Sequence, residues 1–422
     1  MSRTLVRCAV AFVAVFCFAL CGAGAEDAGT PAPATLVPLA ELTEKLEQSL
    51  DGRIDIEMKS GKSYLRCKLI KVTAGDKNTP PKQIKFQEPD APKPITVGFS
   101  AIRSLSVDRE LIYQAVTIGK ATGKEALALR DSKAAAAERE KWVASARARG
   151  TKIWPELTAD EHKAEEKKVR DKIERIKTMY PGTALYETHE FLFVSDMPRE
   201  QVTPFAASLD KMYDMMCQMY GIKKGAAVWK GKCLIVVFLK KADYISFEEA
   251  FFGHTPPDYS QGLCNSSSDG DVVMVCYRGL DIGHFSEMLV HETSHGFIHR
   301  YRTPARLPNW ANEGMAEWIA QSLINYPGGV KLMRDQAVRA MQQTHSLQGM
   351  LQEEHISPIQ YGMAAHLTDF LIQKDKRKYA QWVNGMKEGK PWEESLKDAY
   401  GLTSEKMLSE FGQAIGVPDL RP

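Results

Sequence analysis

The sequence predicts an α+β protein of more than one unit, and three features carry that expectation. Residues 52–107 alternate apolar and polar side chains in short runs, the period of strands with one buried face. Residues 120–180 shift to Ala, Lys, Glu and Arg, the composition of solvated helices. After Gly182 a strand-rich half gives way, from Gly283 on, to a half that reads almost entirely as helix. The 422 residues exceed one ordinary domain, and 44% apolar with 26% charged residues is the balance of a globular protein with a sizeable core.

The first 25 residues stand apart. Met1 to Arg7 carries two arginines and no acid, CAVAFVAVFCFAL (8–20) is apolar throughout, and Ala23-Gly24-Ala25 supplies an A-x-A cleavage pattern, so residues 1–25 read as a signal peptide. That apolar run falls short of the roughly 20 residues that span a bilayer. Leu20 is bulky where a lipidated Cys21 would need a small neighbour, which disfavours a lipoprotein. The mature protein is therefore expected to be periplasmic or extracellular, with no integral membrane span. Losing Arg3 and Arg7 leaves 53 basic against 53 acidic residues, which gives no reason to expect nucleic acid or an anionic membrane as partner. Five cysteines remain: Cys67, Cys217, Cys233, Cys264 and Cys276. Export permits disulfides, Cys264 and Cys276 could close a hairpin, and the lack of CxxC spacing argues against a cysteine zinc site.

Residues 26–50, beginning EDAGTPAPATLVP, read as a flexible mature N-terminus. Residues 51–110 hold about five short strands, including the pair either side of Ser60-Gly61-Lys62 and the run ITVGFSAIRSLSV. They suggest a small β-barrel resembling SH3-like or Sm-like modules, acting as a spacer or a protein contact. Residues 111–182 read as a charged helical connector, with Thr158 and Glu161 at capping-box spacing and Pro181-Gly182 as the stop. Residues 183–422 form the last unit. ALYETHEFLFVSD (184–196) reads as a strand, 199–220 as a helix, CLIVVFL (233–239) as a buried strand, and GDVVMVCYRG (270–279) as the second strand of a hairpin.

FSEMLVHETSHGFIHRY (285–301) reads as a largely buried helix. Positions four apart share a helix face, so His291 and His295 can converge on one ion, with Glu292 one position round and free to accept a proton. For the pair alone, two satisfied core histidines would be the default reading. The third ligand decides: in LPNWANEGMAEW, Glu313 lies 18 positions beyond His295, after Pro304 and Pro308. A helix, a turn and an antiparallel helix can bring its carboxylate to the imidazoles, giving the His2Glu set of a catalytic zinc site. Glu317, one turn further on, is placed to accept the free ring N–H of a ligating histidine. His299 sits about 12 Å along the axis from His291, too far to share the ion. His189, His254, His284, His345 and His355 lie outside any ligand spacing.

HETSH followed by WANEGMAEW resembles the gluzincin metallopeptidases, most closely their aminopeptidase N branch. The resemblance implies a zincin-like catalytic domain over residues 183–422, with Zn2+ held by His291, His295 and Glu313, Glu292 as general base and Glu317 behind the ligands. It implies hydrolysis of a peptide or protein substrate. No GxMEN segment is present and the ligand gap is one residue shorter than in that branch, so exopeptidase activity is not implied. The family's second oxyanion donor is a Tyr or His. Tyr361, 48 positions after Glu313, is the candidate here, with His366 second. Strand 270–279 is expected to be the edge that pairs with an extended substrate. The reading from a different class is a catalytically idle scaffold that binds without cleaving. No P-loop or GxGxxG suggests a nucleotide cofactor.

Overall fold

A computed structural model of the chain describes residues 41–422 apart from 61, 76–79, 90, 109, 118–124, 128–129 and 223–226. The expected signal peptide and residues 26–40 lie outside the described residues. The end of the expected flexible N-terminus is ordered instead: α1 (Leu42–Gln48) fully buries Leu42 and Leu46 against the first sheet. No helix among the described residues is long and apolar enough to cross a membrane.

The first sheet has seven antiparallel strands: β1 (Arg53–Met58), β2 (Ser63–Thr73), β3 (Gln83–Gln87), β4 (Ile95–Gly98), β5 (Ile102–Val107), β6 (Glu110–Thr117) and β7 (Glu125–Leu127). Alternation works as expected, since Ile54, Ile56, Cys67, Leu69, Ile84, Phe86, Ile102 and Leu105 converge on one core. The closed barrel does not appear. The order is β4-β3-β2-β1-β5-β6-β7, and among the described residues no ladder joins β4 to β7. Closure requires the outermost strands to pair; here β6 and β7 extend the edge instead, carrying the sheet past the expected boundary at residue 110.

Two helices come next, α2 (Arg130–Ala148) and α3 (Ala159–Met179). The Thr158–Glu161 capping box forms, with the Glu161 carboxylate accepting from the Thr158 N–H at 2.7 Å. Yet α3 is more than a connector. Ile173 and Ile176 are fully buried against the second sheet, so one apolar stripe of a charged helix becomes a layer of the fold.

The second sheet comprises β8 (Ala184–Glu187), β9 (Phe191–Ser195), β10 (Cys233–Phe238), β11 (Gly262–Ser266) and β12 (Val272–Tyr277), in the order β11-β12-β10-β9-β8. Segment 184–196 is a two-stranded hairpin rather than one strand. Strands β9, β10 and β12 run parallel and the two edges run antiparallel. The central strands are apolar on both faces, as parallel strands covered on both sides must be. Phe191, Phe193, Ile235, Val237, Met274 and Cys276 enter the larger core, while Leu192, Val194, Leu234, Val236 and Val275 meet α3 and α5 (Lys241–Phe252) on the other face. The larger core is completed by α4 (Arg199–Met219) and by seven C-terminal helices: α6 (Ile282–Arg300), α7 (Asn309–Leu323), α8 (Val330–Thr344), α9 (Pro358–Lys374), α10 (Lys376–Lys387), α11 (Trp392–Tyr400) and α12 (Ser404–Ala414).

The expected substrate edge needs correction. β12 lies between β10 and β11, so β11 holds the free edge on that side. The hairpin bridge that Cys264 and Cys276 could have closed does not form. Cys264 faces Met274 across the ladder and Cys276 faces Gly262, so these two thiols are not joined.

Candidate metal centre

Helix α6 begins at Asp281, whose carboxylate accepts from the His284 N–H at 3.0 Å. It lies tight on the sheet at Gly296, where a Cβ would come within 2.6 Å of Val272 Cγ1 and 3.0 Å of Cys264 Sγ. Helix α7 is set by Trp310, fully buried with ring centroids 5.5 Å from both Trp382 and Trp392. A similar contact fixes α7 on α9, since a Cβ on Gly314 would sit 2.5 Å from the Ala364 carbonyl oxygen. Glycines at 296 and 314 permit close approach at the two helices that carry the candidate ligands.

The geometry that results is a triangle. His291 Nε2 lies 3.1 Å from His295 Nε2, and Glu313 Oε2 lies 3.2 Å and 3.3 Å from those two nitrogens. Ligand atoms about 2.0 Å from a tetrahedral zinc are about 3.3 Å apart, so the spacing of this set fits such an ion. Among the described residues, no other group of His, Cys, Asp or Glu gathers in this way. The three side chains are 13%, 17% and 13% exposed, so the cluster is mostly buried and keeps a small solvent-accessible fraction. Glu317 Oε1 lies 3.3 Å from His291 Nδ1, where it can accept that ring N–H and leave Nε2 to the other two side chains of the cluster. His295 Nδ1 is buried with no hydrogen-bond partner among the described residues.

The electrostatics follow from crowding. Burial opposes ionisation of Glu313, but His295 and His291 outweigh it and hold the carboxyl well below the usual range. Burial likewise opposes charge on His291, and Glu317 with Glu313 overcome it and raise its pKa. His295 is raised for the same reason, chiefly through Glu313. The carboxylates that favour positive charge on these imidazoles would equally favour a divalent cation among them. Burial pushes Glu292 up, against the pull of His291 and His295.

Tyr361 stands in the first turn of α9, its ring centroid 6.4 Å from that of His291. Burial raises its pKa, with a further push from Glu313, so the hydroxyl stays protonated. His366 is turned elsewhere. Both ring nitrogens are engaged by Arg334, Nδ1 with the guanidinium at 3.2 Å and Nε2 with the backbone carbonyl at 3.1 Å. Burial and Arg334 push its pKa down to about 4. His299 Nε2 donates to the Ser267 carbonyl at 3.2 Å, a structural partnership away from the cluster.

Two supporting residues escape a reading of the sequence. Glu287, one turn before His291, is buried and accepts from the Val330 N–H at 3.3 Å, joining α6 to the start of α8; burial raises its pKa to about 7. Its i, i+4 relation to His291 is the signal that could have found it. Glu248 is fully buried on α5 and accepts from the Asn265 amide at 3.0 Å, tying down the edge strand β11. Nothing local in the sequence marks that pair.

No protein-family model matches the chain, and no curated protein matches it either.

Proposed function

We propose that this chain is an exported, zinc-dependent metallopeptidase of gluzincin type that cleaves peptide bonds within a peptide or protein substrate. The observation that carries the reading is the triangle of His291 Nε2, His295 Nε2 and Glu313 Oε2 at 3.1–3.3 Å, backed by Glu317. The layout around it supports a zincin-like unit: a mixed sheet with an antiparallel edge strand lies against the histidine-bearing helix, and a helical half completes the chain. When bound, zinc would supply Lewis acidity toward a water and toward the scissile carbonyl.

The chain's own residues do the rest. Glu292 accepts the proton of the attacking water and returns it to the leaving amine. Tyr361 donates its hydroxyl hydrogen to the developing oxyanion. The free edge of β11 offers backbone groups to an extended substrate, with Asn265 held by Glu248. The N-terminal seven-stranded sheet serves as a contact for other proteins.

Metal analysis of the purified mature protein, combined with a peptide-library digest of wild type and Glu292→Gln, tests this reading. The expected result is one zinc per chain, internal cleavage by the wild type, and loss of about 100-fold or more in rate with zinc retained in the variant. Zinc without cleavage of any peptide would point to the binding scaffold instead, and no zinc at all would end both readings.

A further inference from the structure

Helix α6 brings both histidines and α7 brings Glu313, so the turn between them, 301–308, sets whether the three ligands meet. The C-terminal end of α10 lies against this turn. Lys387, its last residue, is only 1% exposed, and its Nζ donates to the carbonyls of Ile298 at 2.8 Å and Ala305 at 2.7 Å. Ile298 lies three residues after His295 in the last turn of α6, where its carbonyl also accepts from the Tyr301 N–H at 3.3 Å. Ala305 lies three residues before Pro308, which opens α7.

One amine therefore bridges the exit of the histidine helix and the entry of the glutamate helix. The surroundings reinforce the bridge. The Thr303 hydroxyl donates to the Lys387 carbonyl, the Tyr301 hydroxyl donates to Asn384 Oδ1 at 2.7 Å, and Arg302 pairs with Glu388 at 2.8 Å. Burial alone lowers the pKa of the Lys387 amine to about 7, with no carboxylate among the described residues to hold it up. The two Nζ contacts at 2.8 Å and 2.7 Å give the amine a carbonyl partner for each of two N–H groups. Burying an amine is costly, and an apolar side chain of this length would fill the space without that cost. What the amine adds is the pair of hydrogen bonds.

We propose that Lys387 is a positioning residue for the candidate metal centre, locking the turn between α6 and α7 in the form that carries Glu313 to His291 and His295. The inference rests on the proposed zinc reading for the purpose of the lock. The test uses the full mature chain and two readouts on wild type and Lys387→Met: amide hydrogen exchange of the metal-free protein, and zinc affinity by chelator competition. The lock predicts at least tenfold faster exchange over residues 299–309, unchanged exchange in the first sheet, and zinc binding weakened tenfold or more. Unchanged exchange in 299–309, or a wild-type zinc affinity in a variant with faster exchange there, overturns it. A wild type that binds no zinc overturns the metal reading itself, and the exchange data keep the two failures apart. Should Lys387→Met fail to fold, Thr303→Val weakens the same joint and predicts smaller changes confined to the same segment.

Discussion

Glu317 is 6% exposed and paired with His291 Nδ1, the ring nitrogen on the far side from the proposed ion, so any influence it has there passes through the ring. A carboxylate in that place holds the tautomer and raises the basicity of Nε2. Glu317→Gln is expected to weaken zinc binding about 10–100-fold while leaving the fold intact. Isothermal titration with circular dichroism on the same samples checks both halves, and an unchanged affinity would remove Glu317 from the site. At this scale much is legible in the sequence. The i, i+4 histidines, the adjacent Glu292 and the paired carboxylates of NEGMAEW are local patterns, and helical periodicity translates local spacing directly into shared faces. Lys387 is not legible, because its role depends on two backbone carbonyls more than eighty positions earlier in the chain.

The α6–turn–α7 hairpin is held by close packing at its glycines. A Cβ on Gly314 would meet the Ala364 carbonyl oxygen and Thr368 Oγ1, both at 2.5 Å, and the first of these is backbone that cannot swing aside. Gly314→Ala should therefore destabilise the protein by about 1–3 kcal/mol, the usual cost of overpacking, and should also weaken zinc binding because α7 carries Glu313. Urea denaturation of the metal-free protein reads the first effect, and a stability equal to wild type would contradict the packing argument. Elements with strong periodicity are readable: α4, β10 and the capping box of α3 fall where the sequence places them. Strand order is not. Whether β11 or β12 holds the edge depends on which strand pairs with β10, a contact made across almost forty residues, and alternation within a strand carries no record of its neighbours. The same reason explains the barrel expectation: five strands are visible in 51–110, but their closure depends on pairing beyond that window.

Across the whole molecule, the described fold has a core for the first sheet and two for the faces of the second, the larger of which runs through the helical half. The N-terminal sheet is joined to the remainder by charged contacts, Arg66 with Asp210 at 2.5 Å and Arg53 with Glu187 at 3.1 Å. Lys387 provides a global test through pH. Its folded pKa, lowered by burial to about 7, lies below its ordinary value of 10.5, so between those limits the unfolded chain binds more protons than the folded one. Stability then rises with pH through this window, and the penalty from burying the ammonium is fully present below it. The difference in unfolding free energy, wild type minus Lys387→Met, should become more positive from pH 7 toward pH 10 in a denaturant series, whereas a difference that stays flat would contradict a buried, neutral amine.

The central claim is spatial: three side chains from two helices meet at one ion. Diffraction data collected at the zinc edge from crystals of the zinc-loaded mature protein address it directly. A single anomalous peak about 2.0–2.1 Å from His291 Nε2, His295 Nε2 and a Glu313 carboxylate oxygen is the predicted result. A peak placed elsewhere, or a Glu313 side chain turned away from a metal that the histidines hold, would contradict the account.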